Sequence, residues 1–411
     1  MRDRDNTGER LFAGLLSVIG NTSFDDLPDT VSEQAGPAGF TEVRLYLGDV
    51  ERRALHLLAG ARTGASVDRV LSIRDTEAGR AYQYGQVLAA DPPSSGGAAY
   101  WVPLFNGNER IGIMFVAAAR DGDTVREDAT GLASLVALAI STKRGHSDTY
   151  AHLNRTQPMN VAAEAQWHLM PPRTYTDSRV AICATLEPSY WISGDAYDYA
   201  TAGTQVHLAI FDAMGHDTAA GQTAALAVSA ARSARRRGAG IAETGGAIED
   251  ELNRVYDDRY VTALLISLDT RSGLLHWASF GHHPPLVLRR GDALRLSCTP
   301  AYPLGTGLGD LEPTVCRQQL EPGDRIVLYT DGITEARRAH GAEFGLDRFI
   351  SVLTQYPAGR LSPQETVRRF VHTFLDYHHG HLEDDATVLL CDWLGPGPPM
   401  GTGASEGGWH S

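Results

Sequence analysis

The stretch "IVLYTDGITEA", residues 326–336, poses the question on which the fold turns. Ile326, Val327, Leu328 and Tyr329 read as a buried strand, and Asp331 and Gly332 stand where the apolar run stops. A lone buried carboxylate costs several kcal/mol unless a cation or hydrogen-bond donors meet it, so Asp331 belongs to a turn, a cap or a metal. The arrangement recurs. "VHLAIFDAMGHD" runs apolar and then delivers Asp212, Gly215 and His216; "EDDATVLLCD" sets Asp384 and Asp385 before an apolar run from Ala386 to Cys391; "YWISGDAYDYA" places Asp195 and Asp198 beside Gly194. Any one of these alone reads as a turn aspartate bonding its own backbone. Four acidic clusters at separate strand ends are harder to explain that way. Antiparallel sheets can bring such ends together, and the carboxylates would then repel one another unless a divalent cation lay among them. Oxygen ligands with few His or Cys nearby select Mg²⁺ or Mn²⁺ over zinc.

Composition narrows the classes. At 411 residues the chain has room for two to three domains with real cores. Hydrophobic content of 43% with 21% charged residues is that of an ordinary globular protein. No apolar run approaches the roughly 18–20 residues of a membrane span, and "MRDRDNTGER" is charged where a signal peptide is apolar, so a cytoplasmic protein without a membrane segment is expected. Cys183, Cys298, Cys316 and Cys391 are widely spaced without a CxxC pair and read as reduced thiols, mostly buried. A formal net charge of −14 argues against a nucleic-acid partner, whose phosphates need a basic surface.

The pattern along the chain is α+β, in four parts. Residues 1–147 carry a helical run at Leu11 to Ile19, paired strands in "TEVRLYLGD" and "RALHLL", a hairpin in "AYWVPLFNGNERIGIMFVAA" turning at Asn106, Gly107 and Asn108, and a helix with Leu132, Leu135, Val136, Ala139 and Ile140 on one stripe, which reads as core or, alternatively, as a dimer seam. This α/β order, with "GRAYQYGQVL" between, resembles a GAF domain, a small sensory module. The loop "DPPSSGG" reads as surface. Residues 148–175 form a linker with a helix expected from Pro158 to Met170, stopped by Pro171 and Pro172. Residues 176–394 alternate short strands with helices expected at Thr218 to Arg237, Ile241 to Tyr256 and Gln364 to Tyr377, the pattern of an α+β domain with antiparallel sheets. Residues 395–411 are rich in Gly, Pro and Ser and read as a disordered tail.

The ordered set "SGDAYD", "DAMGHD", "YVTALL", "SFGHHPPL", "PLG", "LYTDGITEA" and "EDDATVLL" resembles the SpoIIE-type, RsbU-like branch of the metal-dependent serine/threonine phosphatases. The resemblance spans roughly residues 158–393 and implies a two-sheet antiparallel β-sandwich flanked by helices, with two Mn²⁺ or Mg²⁺ ions at one end. It makes Asp212 the ligand shared by both metals, joined on one by the carbonyl of Ala213. Asp331 and Asp384 would hold the other, with Asp195 at the rim of the cluster, bound directly or through water. Asp198 and Asp385 are secondary candidates. It further implies a phosphorylated anti-sigma-factor antagonist of the STAS type as substrate, and a homodimer through the GAF-like domain and linker helix. Such sites lower the pKa of a bridging water and neutralise phosphoryl charge, so that attack on phosphorus is in line. His216 is either a general acid or a loop-fixing residue; His282 and His283 read as structural. The chain departs from the family pattern at Asp217, which reads as the cap of the following helix, and at His283. A partner-binding module without catalysis would be expected to have lost metal ligands, yet Asp212, Asp331 and Asp384 remain; a small-molecule phosphatase is the other alternative.

Overall fold

The computed structural model describes the chain apart from residues 1, 93–95, 108, 189, 216, 309–311, 337–342, 357–360, 379–381, 383 and 397–411. His216, Asn108, the tail from 397 and part of the "DPPSSGG" loop therefore lie outside the described residues. Two compact units divide between Met159 and Asn160.

The first unit runs α1 (Arg2–Ile19), α2 (Leu27–Ala35), β1 (Phe40–Gly48), β2 (Ala54–Leu58), β3 (Val70–Ser72), α3 (Glu77–Tyr84), β4 (Leu88–Ala90), β5 (Ala98–Asn106), β6 (Glu109–Ala118), α4 (Asp123–Lys143) and α5 (Asp148–Asn154). Its six strands form one antiparallel sheet in the order β3-β2-β1-β6-β5-β4. The expected hairpin is β5–β6. The stripe on α4 is core, with Leu132, Val136 and Ile140 fully buried beside Leu45 and Met114 of the sheet.

The second unit opens with α6 (Val161–Leu169), β7 (Thr174–Thr176), β8 (Val180–Glu187), β9 (Asp195–Ala202), β10 (Gln205–Ala213), α7 (Thr218–Arg236), α8 (Ile241–Val255), β11 (Val261–Asp269) and β12 (Leu274–Phe280). It continues with β13 (Leu286–Arg289), β14 (Asp292–Arg295), β15 (Cys316–Gln319), β16 (Arg325–Tyr329), α9 (Asp331–Thr334), α10 (Leu346–Thr354), α11 (Pro363–Tyr377) and β17 (Ala386–Trp393). Two antiparallel sheets result, β15-β12-β11-β10-β9 and β14-β13-β16-β17-β8-β7. Strand parity explains the layers. Leu208 and Ile210 face inward to meet Ile326, Leu328 and Leu389 of the other sheet, while Ala209 and Phe211 face outward onto α7 and α8. The outer face of the second sheet is covered by α9 to α11 through Phe349, Phe370 and Phe374. This is the expected sandwich flanked by helices.

Three expectations need correction. Cys298 and Cys316 are joined by a disulfide, with Cα atoms 6.0 Å apart, whereas Cys183 and Cys391 are buried thiols. The segment between β14 and β15 folds back, pinned by bridges from Ala301 to Phe280 and from Leu304 to Val261, and so brings together cysteines distant in sequence. The linker helix begins at Val161 rather than Pro158, because the Asn160 side chain accepts from the Ala162 amide and caps it there. The linker also carries α5, and the unit boundary falls between α5 and α6. No helix among the described residues is long and apolar enough to cross a membrane.

Candidate metal centre

The register of β9 on β10 sets Asp195 directly opposite Asp212. Like charges at one cross-strand position are destabilising without a cation between them. Both lie on the inward face, the parity of Tyr197 and Ile210, so they look toward the other sheet. That sheet answers with the ends of β16 and β17. Thr330 and Thr387 each donate a hydroxyl to Asp195 Oδ2, both at 2.7 Å, and Thr330 Oγ1 also accepts from the Thr387 amide at 2.9 Å. Asp385 Oδ2 accepts from the Gly194 amide at 2.8 Å, and Asp384 Oδ1 from the Asp385 amide at 2.9 Å. Asp195, at 2% exposure, is thus the floor of the cluster rather than its rim. Asp331 does not end the strand; Tyr329 does, Thr330 follows at the N-cap position, and Asp331 is the first residue of the one-turn helix α9.

Electrostatics bind these positions into one group. Burial, followed by the charges of Asp331, Asp384 and Asp385, pushes the Asp212 carboxyl up to about 7. Burial, with Asp212 and Asp385, holds Asp195 well above the usual carboxylate range, against the two threonine hydroxyls that favour its charged form. No Arg or Lys forms an ion pair with Asp195, Asp212 or Asp331 among the described residues. Nor, among them, are three such side chains drawn tightly enough to clasp an ion as they stand. The donor set nevertheless fits a hard cation. The charged side chains that converge among the described residues are carboxylates, and a cradle of backbone oxygens lies beside them: a Cβ on Gly194 would sit 2.7 Å from the Ala213 carbonyl and 2.3 Å from that of Gly215.

Asp198 is a correction. Three residues past Asp195 it has the opposite parity, and it lies on the outer face against α7. Arg232 Nε and Nη2 donate to its Oδ1 at 2.9 and 2.7 Å, and Arg235 Nη1 to its Oδ2 at 2.7 Å. It is an ion-pair anchor for that helix, outside the cluster. Asp217 caps α7 by accepting from the Ala220 amide at 2.8 Å. His282 is structural: its Nε2 lies 3.0 Å from the Tyr329 carbonyl and its Nδ1 2.7 Å from Thr262 Oγ1, and burial drives its pKa down to about 3. The neutral ring therefore donates to the carbonyl and accepts from the hydroxyl, bracing the strand end that leads to Asp331. His283 stacks on the Tyr329 ring.

Four residues that sequence reasoning missed hold the cluster in place. Thr330 and Thr387 are the hydroxyl donors just described, and each stands one or two positions from an acidic residue in "YTDG" and "DDAT", which was the available signal. Gln166 on α6 is buried and grips the Asp195 loop, donating to the Ser193 and Asp195 carbonyls at 2.8 and 2.7 Å and accepting from the Ser193 amide at 3.1 Å. Nothing in the sequence marks it. Gly194 completes the set. The glycine at 332 has a sharper reason than an open turn: a Cβ there would lie 1.8 Å from the Asp385 carbonyl, so only glycine lets the two acidic segments close up.

Residues 202–394 match the family model described as Stage II sporulation protein E (SpoIIE). Over 243 residues the chain is 26% identical to phosphoserine phosphatase RsbU of Bacillus subtilis, covering 56% of this chain and 69% of that protein. The RsbU and RsbW domains of Rv1364c from Mycobacterium tuberculosis align at 24% identity and a TM-score of 0.47, covering 56% of this chain and 63% of that one. The SiaA-PP2C domain of Pseudomonas aeruginosa aligns at 22% identity and a TM-score of 0.48, covering 56% and 94%. The chain is also similar to RsbX in complex with magnesium, at 14% identity and a TM-score of 0.41, and to the catalytic domain of PstP with two manganese ions, at 18% and 0.38. The family match leaves the N-terminal unit outside it, and within the C-terminal unit residues 202–394 are similar to phosphatase domains of the SpoIIE type.

Proposed function

We propose that the protein is a two-metal phosphoserine/phosphothreonine protein phosphatase whose substrate is a small anti-sigma-factor antagonist of the STAS type. The observation that carries this reading is the convergence of Asp195, Asp212, Asp331, Asp384 and Asp385 from separate segments with no arginine or lysine, among the described residues, paired to the first three. Asp212, Asp331 and Asp384 would hold two Mn²⁺ or Mg²⁺ ions together with the Ala213 carbonyl, and Asp385 would orient bound water. Ions so held would supply charge neutralisation for the phosphoryl oxygens and a lowered pKa for bound water. The chain's own contribution is positioning. Asp195 is pinned by Thr330 and Thr387 beneath Asp212, Gln166 fixes the loop that carries it, and His282 fixes the approach to Asp331.

The substrate reading draws on the likeness to RsbU, described as a phosphoserine phosphatase. In the N-terminal unit the strand order β3-β2-β1-β6-β5-β4, with helices packed on the sheet, supports a GAF-like sensory module. Homodimerisation through that unit and the linker belongs to the same reading, as does control through α6. Leu169 of α6 packs against the α7 cluster, and Gln166 touches the Asp195 loop, so a shift of this helix acts on the cluster directly. The test is incubation of the purified full chain, with and without Mn²⁺, against phosphorylated STAS proteins from the same genome and against small phosphoesters. Metal-dependent release of phosphate from a STAS phosphoprotein is expected; release from small phosphoesters alone would make it a metabolite phosphatase, and no release from either would leave a binding module.

A further inference from the structure

A cavity lies away from the carboxylate cluster, between the outer face of the five-stranded sheet and the α7–α8 turn. Its space is about 460 Å³ counting the open mouth. His207, which lines it, stands five residues before Asp212 on β10, roughly 17 Å along the strand. The sequence explains the opening. On the outer face Ala209 and Leu265 pack under α7, but the next outward positions are His207 and its cross-strand partner Ser267, just where α7 ends at Arg236 and α8 begins at Ile241. The turn between the helices uses Gly238 in the left-handed region (φ +85) and Gly240, neither with a side chain to fill the gap.

The pocket's charge is one-sided. Asp198 gives one oxygen to Arg232 and the other to Arg235, so two guanidinium groups with side chains 19% and 17% exposed share a single carboxylate. One positive charge is left over in a largely desolvated place, where an anion is favoured. Arg235 spends Nη1 on Asp198 and keeps further N–H donors, and it lines the pocket. His207 is held neutral at pH 7 by burial and by Arg235, which leaves its ring able to give or take one hydrogen bond. The remaining wall is mostly apolar, from Ala231, Ile241 and Leu265, with Thr244 and Ser267 adding hydroxyls. A single excess charge matches a monoanion better than a phosphate dianion, and a planar guanidinium edge matches a carboxylate. We infer that this pocket binds a small carboxylate with a short apolar body, its head on Arg235 and His207 and its body against Ile241 and Leu265.

The inference is independent of the phosphatase reading and is tested on the full chain by methyl NMR with labelled Ile and Leu. The probes are hexanoate, its neutral isostere hexanamide, and inorganic phosphate. Hexanoate should shift the methyl signals of Ile241 and Leu265 saturably, and hexanamide should bind at least about tenfold more weakly, the loss of one charge-assisted contact. Phosphate should leave those signals in place. Arg235→Gln should weaken hexanoate by a similar factor, and His207→Trp, which fills the mouth while leaving Arg235 and Asp198 unsubstituted, should abolish its binding. Unmoved methyls under hexanoate, equal binding of hexanamide, a phosphate response in place of the carboxylate one, or unchanged binding in His207→Trp would each overturn the assignment.

Discussion

The second unit buries carboxylates in two opposite ways. On one side stand Asp392, whose two oxygens take Arg325 Nε and Nη2 at 2.6 and 2.9 Å, Asp324 under Arg289, and Asp198 under Arg232 and Arg235. On the other stand Asp195 and Asp212, facing each other across two strands with no arginine or lysine paired to them among the described residues. The paired sites are complete as polypeptide. The cluster differs: its charges raise one another's pKa, and among the described residues no guanidinium gives Asp195 or Asp212 the compensation found elsewhere. A fold that supplies arginines to its other buried acids and, among the described residues, none to Asp195 and Asp212 is electrostatically suited to a cation there.

The largest effect should come from removing a cluster charge and measuring turnover. Asp212→Asn should lower metal-dependent phosphatase activity at least about 10³-fold, roughly 4 kcal/mol of transition-state stabilisation, with near-native circular dichroism. Substantial activity at saturating Mn²⁺ would break the contrast at its root.

Stability should respond with opposite signs in the two kinds of site. Arg325→Met strands Asp392 in the core and should cost about 3–5 kcal/mol in urea unfolding. In metal-free protein at pH 7, Asp212→Asn should instead leave stability unchanged or raise it, because it removes a repelling charge. Comparable losses in both variants would mean that the cluster is an ordinary polar network.

The pH dependence sharpens the same point. A carboxyl held up to about 7 when folded keeps its proton where the unfolded chain, near 3.8, has released it. The contribution is fully present below the unfolded value and is lost as pH rises through the folded one. Metal-free protein should therefore lose on the order of a few kcal/mol between about pH 4 and 7, a slope that saturating Mn²⁺ should reduce and Asp212→Asn should flatten. An unchanged slope in that variant would remove Asp212 as its source.

The smallest expected change is at Gln166. Replacing it with Leu strips three hydrogen bonds from the buried loop around Ser193 and Asp195, a cost of about 1–3 kcal/mol. The Mn²⁺ concentration needed for half-maximal turnover should rise, whereas an Ala substitution at exposed Val161 on the same helix should not move it. Equal metal titrations for Gln166→Leu and wild type would show that α6 holds the fold without tuning the cluster.

Much of this was legible along the chain. Apolar runs ending in Asp-Gly or preceded by Asp-Asp mark strand ends and turns, because a strand cannot carry an unpaired carboxylate into its core, and the alternation around Leu208, Ala209 and Ile210 fixes which face of β10 is inward. The hairpin, the α4 stripe and the Asp217 cap follow from equally local physics. Parity alone could have removed Asp198 from the site, since a strand period of two puts it on the face opposite Asp195. What the sequence could not carry was everything that depends on approach across the sandwich. The grip of Gln166 on a loop 27 residues away, the hydroxyls of Thr330 and Thr387 meeting on one oxygen of Asp195, the closeness of residue 332 to the Asp385 carbonyl and the meeting of Cys298 with Cys316 are contacts between segments with no shared local pattern. Local periodicity decides which way a side chain faces; only the packing of one sheet on the other decides what it finds there.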